Sequence, residues 1–296
     1  MTDRICIIGG TSVDTIVHLD QLPDGSPQTI WPRECYRAVG STGSGKAYNM
    51  KALGMDVCLH TILGSDPEAD IIQQQMADRK IRLLIDRSNE PTEQHVNLMG
   101  AAGERISIFT HPSVVPEHID WQPVKEAMES SDLIVVNILE YAKPALALAM
   151  TTGKIIWTDL HDYDGLNDHH QPFIDAADII FLSSDNFPGY REFMQQMITR
   201  GKQFVVCTHG GQGATLLNDK GEWIEQPVFK VDQVRDTNGA GDAFFSGFLF
   251  GYLKGYTLSD CMQLAAACGA LCVTSKQLAG EDLNSEHLIK MANLPD

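Results

Sequence analysis

The chain has 296 residues, 43% of them hydrophobic, so it can bury a large core; length alone leaves one large α/β domain or two smaller ones open. Its net charge of −17 argues against nucleic acid and anionic membrane surfaces as partners, because both demand basic patches. It does not argue against a small anionic ligand, which backbone amides and magnesium can hold on an acidic protein.

The N-terminal "MTDRICIIGG" carries an apolar run too short for a signal sequence and reads as a first buried strand. From about Thr15 to Val39 the pattern is one of strands and hairpins. "VGSTGSGKAYNM", Val39 to Met50, nearly spells a phosphate-binding P-loop: Gly40, Gly45 and Lys46 are in place, but Ala47 stands where a magnesium-binding hydroxyl belongs. "DVCLHTIL" is the next buried strand and "PEADIIQQQMADRK" a helix. Residues 94 to 110 return to hairpin character, with "AAGE" turning between two β-prone arms of "EQHVNLMGAAGERISIFT". The helix "PVKEAMESS" follows, then the strands "DLIVVNIL", "KIIWTDL", "DIIFL" and "QFVVCTHG", with the helix "NFPGYREFMQQMITRG" before the last of them. From Gly239 onward the chain is almost entirely helical. No run approaches the roughly 20 apolar residues of a membrane span.

Strands apolar on both faces and joined by helices predict a doubly wound α/β fold, with a mostly parallel sheet covered by helices on both sides. The hairpin pieces, 15–39 and 94–110, are expected to pair into a small β lid beside the strand ends, where ligands of such folds gather. Seven cysteines, an odd number without C-x-x-C spacing, read as structural thiols of a reduced, cytoplasmic protein.

"VRDTNGAGDAFFSGFLFGYLKG", Val234 to Gly255, carries the chemistry. Between Gly239 and Leu253 the only charged residue is Asp242, in a helix otherwise made of Gly, Ala, Ser and large apolar residues. A carboxylate buried there needs compensation, which the free N–H groups and positive dipole end of the first helical turn supply. The same amides form an anion cradle that Gly239, Ala240 and Gly241 open to a ligand. A phosphate cradle and a proton acceptor in one turn suit transfer of a phosphoryl group to an alcohol. "DLHDYDGLNDHH" invites a metal reading through Asp159, His161, Asp162, Asp164, His169 and His170. It lacks H-E-x-x-H spacing, and a solvated acidic loop is the favoured account. Asp159 and His161 follow a predicted parallel strand and could reach an acceptor or a phosphate.

At this point "DTNGAGDAFFSGFL" resembles the C-terminal signature of ribokinase-type (PfkB) carbohydrate kinases, D-T-x-G-A-G-D. "GGTSVDTIVHLDQLP" resembles that family's opening strand and the aspartate after it, Asp14. "GSTGSGKAYNMKALG" resembles its glycine-rich sugar segment, and "VVCTHGGQGA" its nucleotide loop. The resemblance implies one kinase domain over residues 1–296 with a β lid. It implies Asp242 as catalytic base and Gly239, Ala240 and Gly241 as the anion hole for the γ-phosphate. Thr208, His209, Gly210, Gly211, Gln212, Gly213, Asn238 and Ser183 are implied to line the nucleotide. Asp14, Gly40, Ser41, Thr42, Gly43, Gly45 and Lys46 are implied to face the acceptor. ATP and magnesium are the implied cofactors, a sugar-like molecule the acceptor, and a homodimer through the lid the implied assembly. The phosphate cradle then lies at Asp236 to Asp242, and the P-loop likeness at Gly40 to Lys46 is accidental.

The sequence departs from the family pattern in three places. Gly45, followed by Lys46, stands where the sugar-contacting Asn usually is; Lys46 is expected either to contact the acceptor or to be solvated at a helix start. Ser183 and Asn186 replace the two polar residues of N-x-x-E, with Asp185 as a stand-in for the missing carboxylate, so the metal residues stay unassigned. Gln277 replaces a glycine associated with potassium activation, while Asp236 is retained, which leaves a K+ site open but disfavoured. The expectation is an ATP-dependent carbohydrate kinase. A nucleoside or vitamin-like alcohol kinase on the same scaffold, and a catalytically silent sugar or nucleotide sensor, are the alternatives.

Overall fold

The computed structural model describes residues 2–101 and 104–295. Among them the strands are, in chain order, β1 (Arg4–Ile8), β2 (Ser12–His18), β3 (Glu34–Gly40), β4 (Asp56–Leu63), β5 (Arg82–Arg87), β6 (Gln94–Met99), β7 (Arg105–His111), β8 (Leu133–Val136), β9 (Ile155–Asp159), β10 (Ile179–Ser183), β11 (Phe204–Thr208), β12 (Ala214–Asn218) and β13 (Trp223–Gln226). The large sheet has the order β13-β12-β11-β10-β9-β8-β1-β4-β5. From β11 to β5 every pairing is parallel; β12 and β13 add an antiparallel hairpin at one edge.

Alternation along the parallel strands sends side chains to two separate cores. Ile5, Ile7, Leu59, Val135, Trp157 and Phe181 pack on one face, under the helices Thr42–Ala52, Ala240–Leu253 and Leu258–Val273. Cys6, Ile8, Ile134, Val136, Ile156 and Ile180 pack on the other, under Trp121–Ser130, Lys143–Thr151, Gln171–Ala176 and Tyr190–Thr199. This is the doubly wound arrangement expected from apolar strands with no polar face. Helix Ala240–Leu253 is buried over most of its length, and its Phe245 and Phe248 meet Trp157 of β9 edge to face, with ring centroids 5.6 and 6.0 Å away. Burying each such ring contributes about 1.5–3 kcal/mol, which fixes the helix, and so its first turn, against the sheet.

The second sheet has the order β3-β2-β6-β7. Its strands lie in and around the two stretches read as hairpins, although β2 begins at Ser12, ahead of Thr15. The turn expected at "AAGE" falls partly on residues 102 and 103, outside the described residues. Among the described residues no helix is long and apolar enough to cross a membrane. Cys6, Cys58, Cys207, Cys261, Cys268 and Cys272 are free and buried, and Cys35 is free and exposed.

In the large sheet the strand order reverses between β1 and β8, the place where folds of this class hold ligands. The turn Gly9–Gly10 leaves β1 there, and the start of helix Thr42–Ala52 is pressed onto it. A Cβ on Gly43 would collide with Gly10 O, and Ser44 N donates to Gly10 O at 3.2 Å.

Candidate active site

The glycine-rich segment after β3 runs from one buried carboxylate to another. A Cβ on Gly40 would collide with the carboxylate of Asp14, and one on Gly45 with that of Asp242. Between them Ser41 holds a left-handed backbone, φ 69°, and Thr42 Oγ1 accepts a hydrogen bond from Asn137 Nδ2 at the end of β8. The segment is therefore a close-approach device. Its glycines let the lid-side aspartate and the helix-side aspartate lean against one piece of backbone.

Asp242 lies in the first turn of helix Ala240–Leu253, after Gly239, whose φ of 81° turns the chain into the helix. Ala240 N turns back to Thr237 O and Ala243 N to Gly239 O. The amides of Gly241 and Asp242 belong to the turn that lacks intrahelical partners in any helix, and a Cβ on Gly241 would meet nothing within 4 Å. The turn therefore offers donors and open space together, the geometry of an anion cradle.

Lys46 is fully buried. Its Nζ donates to Asp242 Oδ1 at 2.5 Å and to Asp159 Oδ2 at 3.0 Å, and it lies 4.9 Å from the centroid of the Phe245 ring. Burial pulls the ammonium pKa down, but the two carboxylates more than restore it, so Lys46 stays charged. Burial pushes Asp159 up, yet the His161 imidazole, the Lys46 charge and the His161 N–H outweigh it and hold Asp159 at about 2. Asp242 behaves oppositely: burial pushes it up and Lys46 only partly opposes this. Of the two carboxylates sharing one ammonium, Asp242 is the one shifted toward accepting a proton. The solvated lysine expected as one alternative is not what the fold contains. Nor does Lys46 present any surface to an acceptor.

Asp14 is buried on β2 and held by side chains of the lid. Ser12 Oγ donates to its Oδ1 at 2.6 Å, Asn97 Nδ2 to its Oδ2 at 2.9 Å, and His95 Nδ1 lies 3.3 Å from Oδ1. The lid also grips the segment leading to the helix. Tyr36 Oη donates to Asp236 Oδ2 at 2.9 Å, and Arg105 Nη1 to Asn238 Oδ1 at 3.1 Å. Asp236 Oδ1 accepts from Asn238 N at 2.7 Å. A small cavity of about 10 Å³ lies there, lined by Asp14, Ala38, Asp236, Asn238 and Gln277 among others.

Of the residues expected around the nucleotide, Ser183 and Thr208 to Gly213 lie at the ends of β10 and β11, whereas Asn238 lies beside the lid, bonded to Arg105 and lining the same cavity as Asp14. Thr208 ends β11, Gly210 to Gln212 form a single 3-10 turn, and Gly213 takes a φ of 103° that carries the chain into β12. Cβ atoms on Gly210 and Gly211 would meet nothing within 4 Å, so that turn has free space above it. His209 faces the other way: its ring nitrogens lie 2.9 Å from Ser184 Oγ and 2.9 Å from Thr215 Oγ1, which makes it a brace for the loop. Ser183 N donates to His161 O at 2.6 Å, joining the ends of β9 and β10. Among the described residues no group of three or more His, Cys, Asp or Glu is placed to hold a metal ion.

The pfkB family carbohydrate kinase model matches residues 3–283. The chain belongs to that family. The kinase is 28% identical over 287 residues to the acarbose 7(IV)-phosphotransferase of Actinoplanes sp., covering 91% of this chain and 92% of the relative. It is 35% identical over 258 residues to the ATP-dependent 6-phosphofructokinase of Thermoanaerobacterium thermosaccharolyticum, covering 78% of this chain and 77% of the relative. Among solved structures it resembles the microbiome-derived acarbose kinase Mak1, with a TM-score of 0.87 and 28% identity over 99% of both chains. The ribokinase-like fold and the carbohydrate-kinase activity, ATP-dependent phosphoryl transfer to an alcohol of a sugar or sugar-like acceptor, follow from that membership.

Sequence reasoning passed over several residues that shape this site: His95 and Asn97, which hold Asp14, Tyr36, which holds Asp236, and Phe245 beneath Lys46. A signal for the first two existed. On β6 the buried parity is occupied by His95, Asn97 and Met99, and two polar residues on the inward side of a strand imply a polar partner inside.

Proposed function

We propose that this kinase phosphorylates a neutral sugar, with Asp242 as general base and the first-turn amides from Gly239 to Gly241 as the cradle for the moving phosphoryl. The observation that carries this reading is the position of Asp242: a buried carboxylate in the leading turn of an apolar helix, beside an open anion cradle. The Asp242 carboxylate takes the acceptor's hydroxyl proton while the amides stabilise charge on the γ-phosphoryl in flight. Asp14, held by three lid side chains, orients further hydroxyls of the acceptor from the opposite side.

The nucleotide fits the free space above Gly210 and Gly211 and runs toward Gly239. Magnesium supplies charge neutralisation of the phosphates when bound with ATP. The donor set suits an ion that arrives with the nucleotide, with Asp185, exposed beside Asn186, as the carboxylate of the right hard-oxygen chemistry. A potassium requirement is disfavoured. Both oxygens of Asp236 already accept hydrogen bonds, and Gln277 Oε1 accepts from the Arg79 guanidinium at 2.9 Å, which brings a fixed cation beside that segment.

The pairing of the cations on and near the lid supports a neutral acceptor. Lys276 is paired with Glu34 at 2.5 Å, Arg37 with Glu68 at 2.6 Å, and Arg105 is bonded to Asn238. With Asp14 and Asp236 on the lining, a sugar phosphate would meet negative charge and committed cations. Acarbose and neutral sugars are therefore better acceptors than fructose 6-phosphate. The apolar residues Ile106 and Ile108, on the face of β7 opposite Phe109, which packs on His95, support a homodimer through the lid. ADP release with Mg-ATP across acarbose, maltose, glucose, ribose, inosine and fructose 6-phosphate tests the reading. Turnover with a neutral sugar supports it, and turnover restricted to the sugar phosphate or to the nucleoside overturns the acceptor class.

A further inference from the structure

The ion cluster Asp242–Lys46–Asp159 has one cation for two carboxylates, and each member comes from a different element. Lys46 comes from the second turn of helix Thr42–Ala52, Asp159 from the end of β9, and Asp242 from the start of helix Ala240–Leu253. A fully buried ammonium persists only when its protons are used. Two of its three are, at 2.5 and 3.0 Å. The contact to Asp242 is made at Oδ1; the other oxygen, Oδ2, projects into the space that Gly45 leaves by having no side chain. The charged and titratable groups facing Asp242 are Lys46 from its helix, Asp159 and His161 from the β9 end, and the Cys272 thiol from helix Leu258–Val273.

We propose that Lys46 and Asp159 are positioning residues for Asp242, Lys46 holding Oδ1 so that Oδ2 is the proton-accepting atom, and Asp159 keeping the ammonium in place when Asp242 loses its charge. This rests on the reading of Asp242 as the base. In the step, the acceptor's O–H bond breaks and its proton passes to Asp242 Oδ2. The acceptor oxygen forms a bond to the γ-phosphorus as the bond to the β–γ bridging oxygen breaks, and ADP leaves with that electron pair. Before transfer the cluster carries two negative charges and one positive; afterwards Asp242 is neutral and Lys46 and Asp159 balance. Without Asp159 the ammonium would be left in the interior with no counter-ion at the moment of transfer. Gly45 and Lys46 thus work together: one vacates the space for Oδ2, the other grips Oδ1.

The test is the pH dependence of kcat/KM for wild type, Lys46→Met, Lys46→Arg and Asp159→Asn, with Asp242→Asn as reference. Removing the ammonium should move the acid limb up by about 1–3 pH units, the effect of losing an adjacent opposite charge. Asp159→Asn removes a like charge and leaves Lys46 wholly to Asp242, so its acid limb should move down while its kcat falls. Lys46→Arg should keep the limb nearer the wild-type position than Lys46→Met does. Opposite movements for the two lesions identify electrostatic positioning, since damage to packing alone would move neither limb in a charge-dependent sense. If Lys46→Met fails to fold, the downward movement in Asp159→Asn and the small one in Lys46→Arg still decide. Acid limbs unmoved in folded variants overturn the proposal while leaving Asp242 as base. Near-full activity of Asp242→Asn overturns the base reading itself.

Discussion

Gly45 has no side chain, and the carboxylate of Asp242 fills the space one would take. The contact joins two helices whose sequences lie at opposite ends of the chain. It makes the residue type at position 45 a condition on the geometry of the catalytic carboxylate. Gly45→Ala therefore sets two effects against each other. Alanine favours a helix by about 1 kcal/mol over glycine, but overpacking of a filled interior costs about 1–3 kcal/mol. Because the neighbour is a carboxylate pinned by Lys46, the second effect should win. The melting temperature should fall, and kcat should drop about 10²-fold, the scale of a misplaced catalytic group. A variant as stable and active as wild type would show that Asp242 can move aside at no cost.

Asn97 donates to Asp14 Oδ2 at 2.9 Å from within the lid. Hydrogen bonds to charged groups are worth about 1.5–3 kcal/mol, so Asn97→Ala should raise the acceptor KM about tenfold or more. The KM for ATP should stay within about twofold, because the hydrogen bonds of the β6 side chains run to the lid and Asp14 and not to the loop after β11. Steady-state kinetics with each substrate varied in turn would check this, and an ATP-side defect would contradict it.

His95 gives the lid a pH dependence. Burial pushes its pKa down, but Asp14 and Glu93 more than reverse this, raising it from 6.5 to about 9. A raised folded-state pKa means stabilisation that is fully present below pH 6.5 and lost as the pH rises through about 9. The melting temperature of wild type should exceed that of His95→Gln at pH 6, and the two should converge between pH 6.5 and 9. Thermal scans at a series of pH values would show it. A constant gap would mean that His95 stays in one charge state throughout.

Ile108 lies 46% exposed on the outer strand of the lid, on the same face as Ile106. If that surface joins two copies, Ile108→Glu should shift the molecular mass in light scattering from dimer to monomer, with an unchanged circular dichroism spectrum. A wild-type chain already monomeric at micromolar concentration would remove the lid dimer.

The parallel sheet was legible because its strands are apolar on both faces. "RICIIG", "DVCLHTIL", "DLIVVNIL", "KIIWTDL", "DIIFL" and "QFVVCTHG" all lie within it. The edge hairpin β12–β13 and the strand β5 were not singled out. β5 and β13 are mixed in polarity and only partly covered, and β12, though buried throughout, has its apolar run broken by Thr215 and Asn218. Asp242 stood out as a single charge in an apolar helix, a local signal. The fate of Lys46 had no such signal. Its two partners lie 113 and 196 residues away in sequence, and no local pattern separates a lysine that will be solvated from one that three converging elements will enclose. The same distance hid the pairing of Tyr36 with Asp236, 200 residues apart. Turn glycines mark where backbones come close, but they do not name what arrives.

The most direct test of the central claim is the rate of ADP formation by Asp242→Asn, measured with Mg-ATP and the best neutral sugar, beside its affinity for ATP by calorimetry. A general base acts in the transition state more than in ground-state binding. The rate should therefore fall on the order of 10²–10⁴-fold, with the ATP dissociation constant within a few-fold of wild type. A folded Asp242→Asn protein that turns over at near wild-type rate would contradict the account.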